Sequence, residues 1–212
     1  MAETPTLSPR RPRAAGRMGR WTGGIVGNER LTAATGAVLF LLLFVEGITI
    51  VFLQPLFSVH VFVGMLLIPP VALKLASTGY RFARYYTGDP EYRRAGPPRL
   101  LLRVIAPFQV LATVVLFGSG VGMLLLGPRQ RWLLGVHKAS FIGWFGLTAV
   151  HVLAYVWRVP RLAGADWAAR EPLGGSLGRR LLLAGALVAG IVLAWATLPM
   201  ADPWIAQLGL DR

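Results

Sequence analysis

The chain contains no cysteine and only three histidines. Without cysteine there is no disulfide, no thiolate nucleophile, no cysteine-held iron–sulfur cluster and no haem attached through a CxxCH site. Any metal has to rest on histidine, carboxylate, methionine or lysine. Acidic residues are scarce as well: nine Asp and Glu stand against twenty-two Lys and Arg, a net charge of +13. In a soluble protein that balance suggests nucleic acid. Here charged residues make up only 15% of the chain and hydrophobic ones 55%, with mean hydropathy +0.57. The composition is that of an integral membrane protein, and the basic residues fall between apolar blocks. The expected surroundings are a lipid bilayer, with no nucleic-acid partner.

What the chain does have is long apolar runs. Five blocks, at about 31–53, 58–80, 100–126, 132–156 and 181–198, are long enough to cross a hydrocarbon core of ~30 Å as helices. The joints "QPLF" and "GPRQR" are short, so the expected fold is an all-α membrane protein. An up-down four-helix bundle over residues 30–159 is followed by a fifth transmembrane helix. The "IPP" at Pro69 and Pro70 predicts a kink in the second span rather than a clean helix. Arginine sets the expected orientation. Six arginines lie between Arg10 and Arg30, six between Arg81 and Arg103, and five between Arg158 and Arg180, all on one side. The other side holds Arg129, Arg131, Lys138 and Arg212. The positive-inside rule then places the N-terminus in the cytoplasm and the C-terminus outside. On this reading residues 1–29 are a disordered basic cytoplasmic arm, 160–180 a cytoplasmic loop and 199–212 an extracytoplasmic tail. The arm has a twin arginine in "PRRPR" but no apolar stretch at signal-peptide distance, so a solvated tail touching anionic lipid is the better reading.

Two of the histidines bracket "HKASFIGWFGLTAVH", His137 to His151, inside the fourth span. Fourteen helical residues advance about 21 Å and complete nearly four turns, so the two imidazoles share a helix face, one near each membrane surface. His60 opens the second span at the outer side, level with His137. Two imidazoles at one depth on facing helices match bis-histidine haem ligation. The plainer alternative is imidazoles that hydrogen-bond between helices, although ionisable groups at membrane depth are functional by default.

"NERLTAATGAVLFLLLFVEG", "HVFVGMLL" and "HKASFIGWFGLTAVHVLAYV" resemble the membrane cytochrome b subunits of formate dehydrogenase and nickel–iron hydrogenase. More broadly they resemble the bacterial four-helix di-haem cytochrome b superfamily, over roughly Asn28 to Val159. The resemblance implies an electron-transfer subunit of the bacterial cytoplasmic membrane. It would pass electrons between an extracytoplasmic oxidoreductase and quinone as part of a larger complex. It implies haem b, with His60 and His137 as axial ligands of the outer haem and His151 as a ligand of the inner one. The family's partner for that inner ligand is a histidine in an "RLTHW"-like phrase, where this chain reads "RLTAA" with Ala33. Three readings of His151 are therefore open: a relic imidazole, the wall of a quinone pocket, or the ligand of a second haem completed by another side chain. Lys74, fourteen residues after His60, is the candidate for that role, though a lysine there is better read as snorkelling to the cytoplasmic surface.

Other residues have paired readings. Glu46, the only acidic residue within a span, serves a quinone or proton path or bonds a neighbouring helix as a neutral acid. Arg129, Arg131 and Lys138 pair with haem propionates or anchor the interface. Gly64 and the glycines Gly118, Gly120 and Gly122 let a macrocycle or simply a helix approach closely. Trp132, Trp144, Trp157 and Trp204 are belt or packing residues. Two readings outside electron transfer also stand: a haem-free membrane scaffold derived from such a cytochrome, and, with weaker support, a small transporter.

Overall fold

A computed structural model of the chain describes residues 23–96, 100–155 and 174–210. Among these, every regular element is helical. Helix α1 runs over Gly24–Val51, α2 over Phe57–Tyr86, α3 over Pro90–Arg94, α4 over Leu100–Leu126, α5 over Arg131–Tyr155 and α6 over Ser176–Thr197. A 3-10 turn, Leu198–Ala201, leads into α7, Asp202–Leu208. Five of these helices are long and apolar enough to cross a membrane. Their outward faces carry exposed Phe40, Leu41, Phe44, Phe108, Leu111 and Ile142. Such continuous apolar surface suits lipid and would aggregate in water.

The packing centres on α2, which lies along α1 on one side and α6 on another, while α4 and α5 form a second hairpin. Leu39, Val63 and Leu67 make one core cluster, joined by Phe117 of α4. Met65, Leu66 and Ala194 make another, joined by Val121 and Leu124. The fifth long helix is thus part of the core, packed against the second through small residues. Gly23 and Gly175 precede α1 and α6 in the left-handed conformation. Arg179 of α6, 2% exposed, lies against Gly23, so α1 and α6 start at the same end of the molecule. At the other end Trp204 of α7 donates to the Met123 carbonyl at 3.0 Å.

Three boundaries differ from the sequence expectation. Helix α1 begins at Gly24, so residues 24–29, read as part of a disordered arm, are helical, with Gly27 and Asn28 buried. Asn28 is held by its amide, which donates to the Ser77 carbonyl at 3.1 Å. Helix α6 starts at Ser176, inside the stretch expected to be loop, and the expected tail folds into the 3-10 turn and α7. Pro69 and Pro70 do not interrupt α2, which runs continuously through them. A proline ring removes one donor without ending a helix whose neighbours cover the freed carbonyl. Residues 1–22 and 156–173, with Trp157 and most of the expected cytoplasmic loop, lie outside the described residues.

Candidate functional site

The two hairpins bring His60 and His137 together. Their ring centroids are 6.5 Å apart and the rings nearly perpendicular, at 84°. Hairpin register sets the depth of each ring. Ser119–His137, Thr113–Trp144 and Gln109–Thr148 are hydrogen-bonded pairs, and each lies almost symmetrically about the turn at Pro128. In the first hairpin Thr49–His60, Thr32–Lys74 and Thr32–Ser77 are likewise symmetric about Gln54 and Pro55.

Each imidazole is oriented through Nδ1. The His60 Nδ1 lies 2.9 Å from Glu46 Oε1 and 3.0 Å from Thr49 Oγ1. Thr49 donates its own hydroxyl proton to Glu46, to the backbone carbonyl at 2.6 Å or to Oε2 at 3.3 Å, so its oxygen is an acceptor toward the ring. The hydrogen on Nδ1 of His60 is therefore the one held by the protein, and Nε2 is the nitrogen left for a ligand. The same logic holds for His137. Its Nδ1 is 3.1 Å from the Leu116 carbonyl, which only accepts, and 3.2 Å from Ser119 Oγ. Ser119 spends its proton on that same carbonyl at 2.9 Å. Both tautomers, assigned here from the bonding network, are those a metal-ligating histidine adopts, with Nδ1–H held by a protein acceptor.

This donor set fits an axially ligated metal group. Metal–imidazole bonds of about 2 Å place two axial rings with centroids roughly 6 Å apart, close to the observed separation. Among the described residues no group of three or more His, Asp or Glu side chains gathers as a metal cluster. A bis-histidine haem requires two ligands, the rest being supplied by the macrocycle.

The remaining expected site residues divide. Gly120 belongs to the site: a Cβ there would lie 3.3 Å from His137 Cε1, so glycine gives that ring its place. Gly64 faces the Glu46 carboxylate, with a Cβ position 3.6 Å from Oε1. Gly118 meets nothing within 4 Å, and Gly122 packs on Leu133. Arg129, Arg131 and Lys138 are exposed at the α4–α5 turn and the start of α5, without a side-chain partner among the described residues. Trp144 is buried and donates to Thr113 Oγ1 at 3.0 Å, which makes it a packing residue.

The inner level differs in kind. Ala33 is buried, and Lys74, expected to snorkel outward, instead turns into the helix pair and donates to the Thr32 carbonyl at 2.6 Å. Its Nζ lies 2.9 Å from where a Gly36 Cβ would be. The missing side chain of Gly36 leaves room for the ammonium on this inward course. Half-buried His151 lies within electrostatic reach of Lys74. At this level the Lys74 ammonium is committed to the Thr32 carbonyl. Comparison with known protein families, curated proteins and solved structures finds no match.

Proposed function

We propose that this chain is a b-type cytochrome subunit of the bacterial cytoplasmic membrane, holding one haem b between His60 and His137. The carrying observation is the pair of neighbouring imidazoles with both Nδ1 atoms committed to protein acceptors. The resemblance read in the sequence supports the same cofactor, and the arginine distribution supports placing this pair near the extracytoplasmic surface. The haem supplies one-electron Fe(III)/Fe(II) chemistry. The chain's own residues do the rest. Glu46, Thr49, Leu116 and Ser119 fix the ligand rings, Gly120 makes room for one of them, and the apolar helices keep water away. Transfer between an extracytoplasmic oxidoreductase and quinone is the role that fits a single haem at this level, since one outer haem does not span the bilayer.

The test is a dithionite-reduced minus oxidised spectrum of the purified protein with a pyridine haemochrome count. The expected result is about one haem b per chain, lost in His60→Ala and in His137→Ala and kept in His151→Ala. Two haems per chain would show that the inner level binds one after all. No haem after expression with ample haem supply would sink the proposal and leave a membrane scaffold as the reading, which Ala33 and the bonded Lys74 already favour at the inner level.

A further inference from the structure

The two ligand rings are held by unlike partners. His137 donates to a neutral backbone carbonyl, Leu116, and a serine hydroxyl. His60 donates to the side-chain carboxyl of Glu46, and the two side chains are 22% and 13% exposed. Glu46 is the sole acidic residue in the apolar part of α1, and its other oxygen accepts from Thr49. Such a residue is costly at membrane depth unless something there uses it. Thr49, only 1% exposed, locks the arrangement by spending its proton on Glu46 and offering its oxygen to the ring.

Resting on the cytochrome reading, we infer that Glu46 is a positioning residue that makes His60 the stronger axial donor and so holds the haem at a low reduction potential. A hydrogen bond from Nδ1–H to an anionic acceptor is shorter and stronger than one to a neutral carbonyl, and pulls the ring toward imidazolate character. Outer-shell carboxylates raise the basicity of a ligating histidine in this way. A more electron-rich ligand favours Fe(III) over Fe(II). The couple concerned is Fe(III) plus one electron giving Fe(II), with no bond to the protein made or broken. The low dielectric around the pair leaves the charge weakly screened, so the effect survives at the iron. His137 has no such partner, and the asymmetry assigns the tuning to one side of the site.

The test is a spectroscopic redox titration of the wild-type protein, Glu46→Gln, Glu46→Asp and Ser119→Ala, all with haem bound. Glutamine keeps the size and an acceptor oxygen while removing the charge. Glu46→Gln is expected to keep its haem and raise the midpoint, with at least a tenfold higher Fe(II)/Fe(III) ratio at fixed poise, equivalent to 59 mV for one electron. Glu46→Asp, which withdraws the carboxylate from the ring, moves the same way, and Ser119→Ala shifts the ratio by much less. A structural role alone would alter haem content without moving the potential. Haem retained at an unchanged potential in Glu46→Gln overturns the inference and leaves the cytochrome reading intact. Should Glu46→Gln lose haem, an unchanged potential in Glu46→Asp overturns it equally. A wild-type protein without haem overturns both.

Discussion

Replacing Gly190 with alanine places a methyl group against a backbone atom that has little freedom to move. An ideal Cβ on Gly190 would lie 2.4 Å from the Leu66 carbonyl oxygen and 3.2 Å from its carbon. That carbonyl is special because Pro70, four residues on in α2, has no N–H to give it. The oxygen freed by the proline turns to α6, where only a glycine Cα lets it be covered, in a close approach of the type seen at Cα–H···O helix contacts. Carbon–oxygen contacts settle at about 3.3 Å or more, so alanine must push α6 outward by about 1 Å. That shift loosens Ala194, 0% exposed one turn later, from Met65 and Leu66. Overpacking of this kind costs about 1–3 kcal/mol. Gly185 on the same helix meets nothing within 4 Å, and alanine there gains up to about 1 kcal/mol of helix propensity. The difference between Gly190→Ala and Gly185→Ala therefore isolates the contact. At about 2–4 °C per kcal/mol for a chain of this size, a gap of about 2 kcal/mol is a thermal midpoint about 4–8 °C lower for Gly190→Ala. The assay is thermal unfolding of the protein in detergent, followed by tryptophan fluorescence. Equal midpoints for the two variants would refute the argument that Gly190 seals the carbonyl freed by Pro70.

Other outcomes follow from the same geometry. Gly120→Val crowds His137, whose Cε1 already sits 3.3 Å from the Cβ position, and should drop haem content well below that of Gly118→Val, where nothing lies within 4 Å; equal haem in both would argue against Gly120 placing the ring. Trp204→Phe keeps the ring but loses the 3.0 Å bond to Met123, a loss of about 1 kcal/mol or about 2–4 °C in midpoint; an unchanged midpoint would mean α7 is held by packing alone. Tyr92, in the short α3 between the spans, is pushed up to about 12 by burial and then by neighbouring Tyr80, against an ordinary value of 10.0. Its neutral form is thus favoured in the fold, so the contribution is whole below pH 10 and is lost as pH rises toward about 12. Tyrosinate absorbance should show one late-ionising phenol that disappears in Tyr92→Phe; the absence of a late phase in the wild-type protein would contradict this.

The long apolar helices were legible in the sequence because bilayer-scale hydrophobicity is a local property, read within each segment. The positions of His60 and His137 at one depth were legible too, since short turns make hairpin register a matter of counting outward from the joint. The same counting pairs Glu46 and Thr49 with His60, and Ser119 with His137, so the sequence carries that signal too. The start of α1 is not legible locally, because Asn28 and Glu29 are polar. Their suitability for a helix depends on partners such as Ser77 and Arg81, about fifty residues away, at 3.1 Å and 3.4 Å.

By itself the sequence determined an all-helical chain with five membrane-length helices, and it pointed to two imidazoles able to meet at one level, because periodicity, length and composition act along the chain. Only the tertiary structure decided that α6 packs on α2 through Gly190, that Lys74 turns inward to Thr32 rather than outward to water, and that one ligand ring is held by a carboxyl group while the other is held by a carbonyl. Each of those depends on which face of one helix meets which face of another, and on where a lone carbonyl, ammonium or N–H finds its nearest partner, which no single segment specifies.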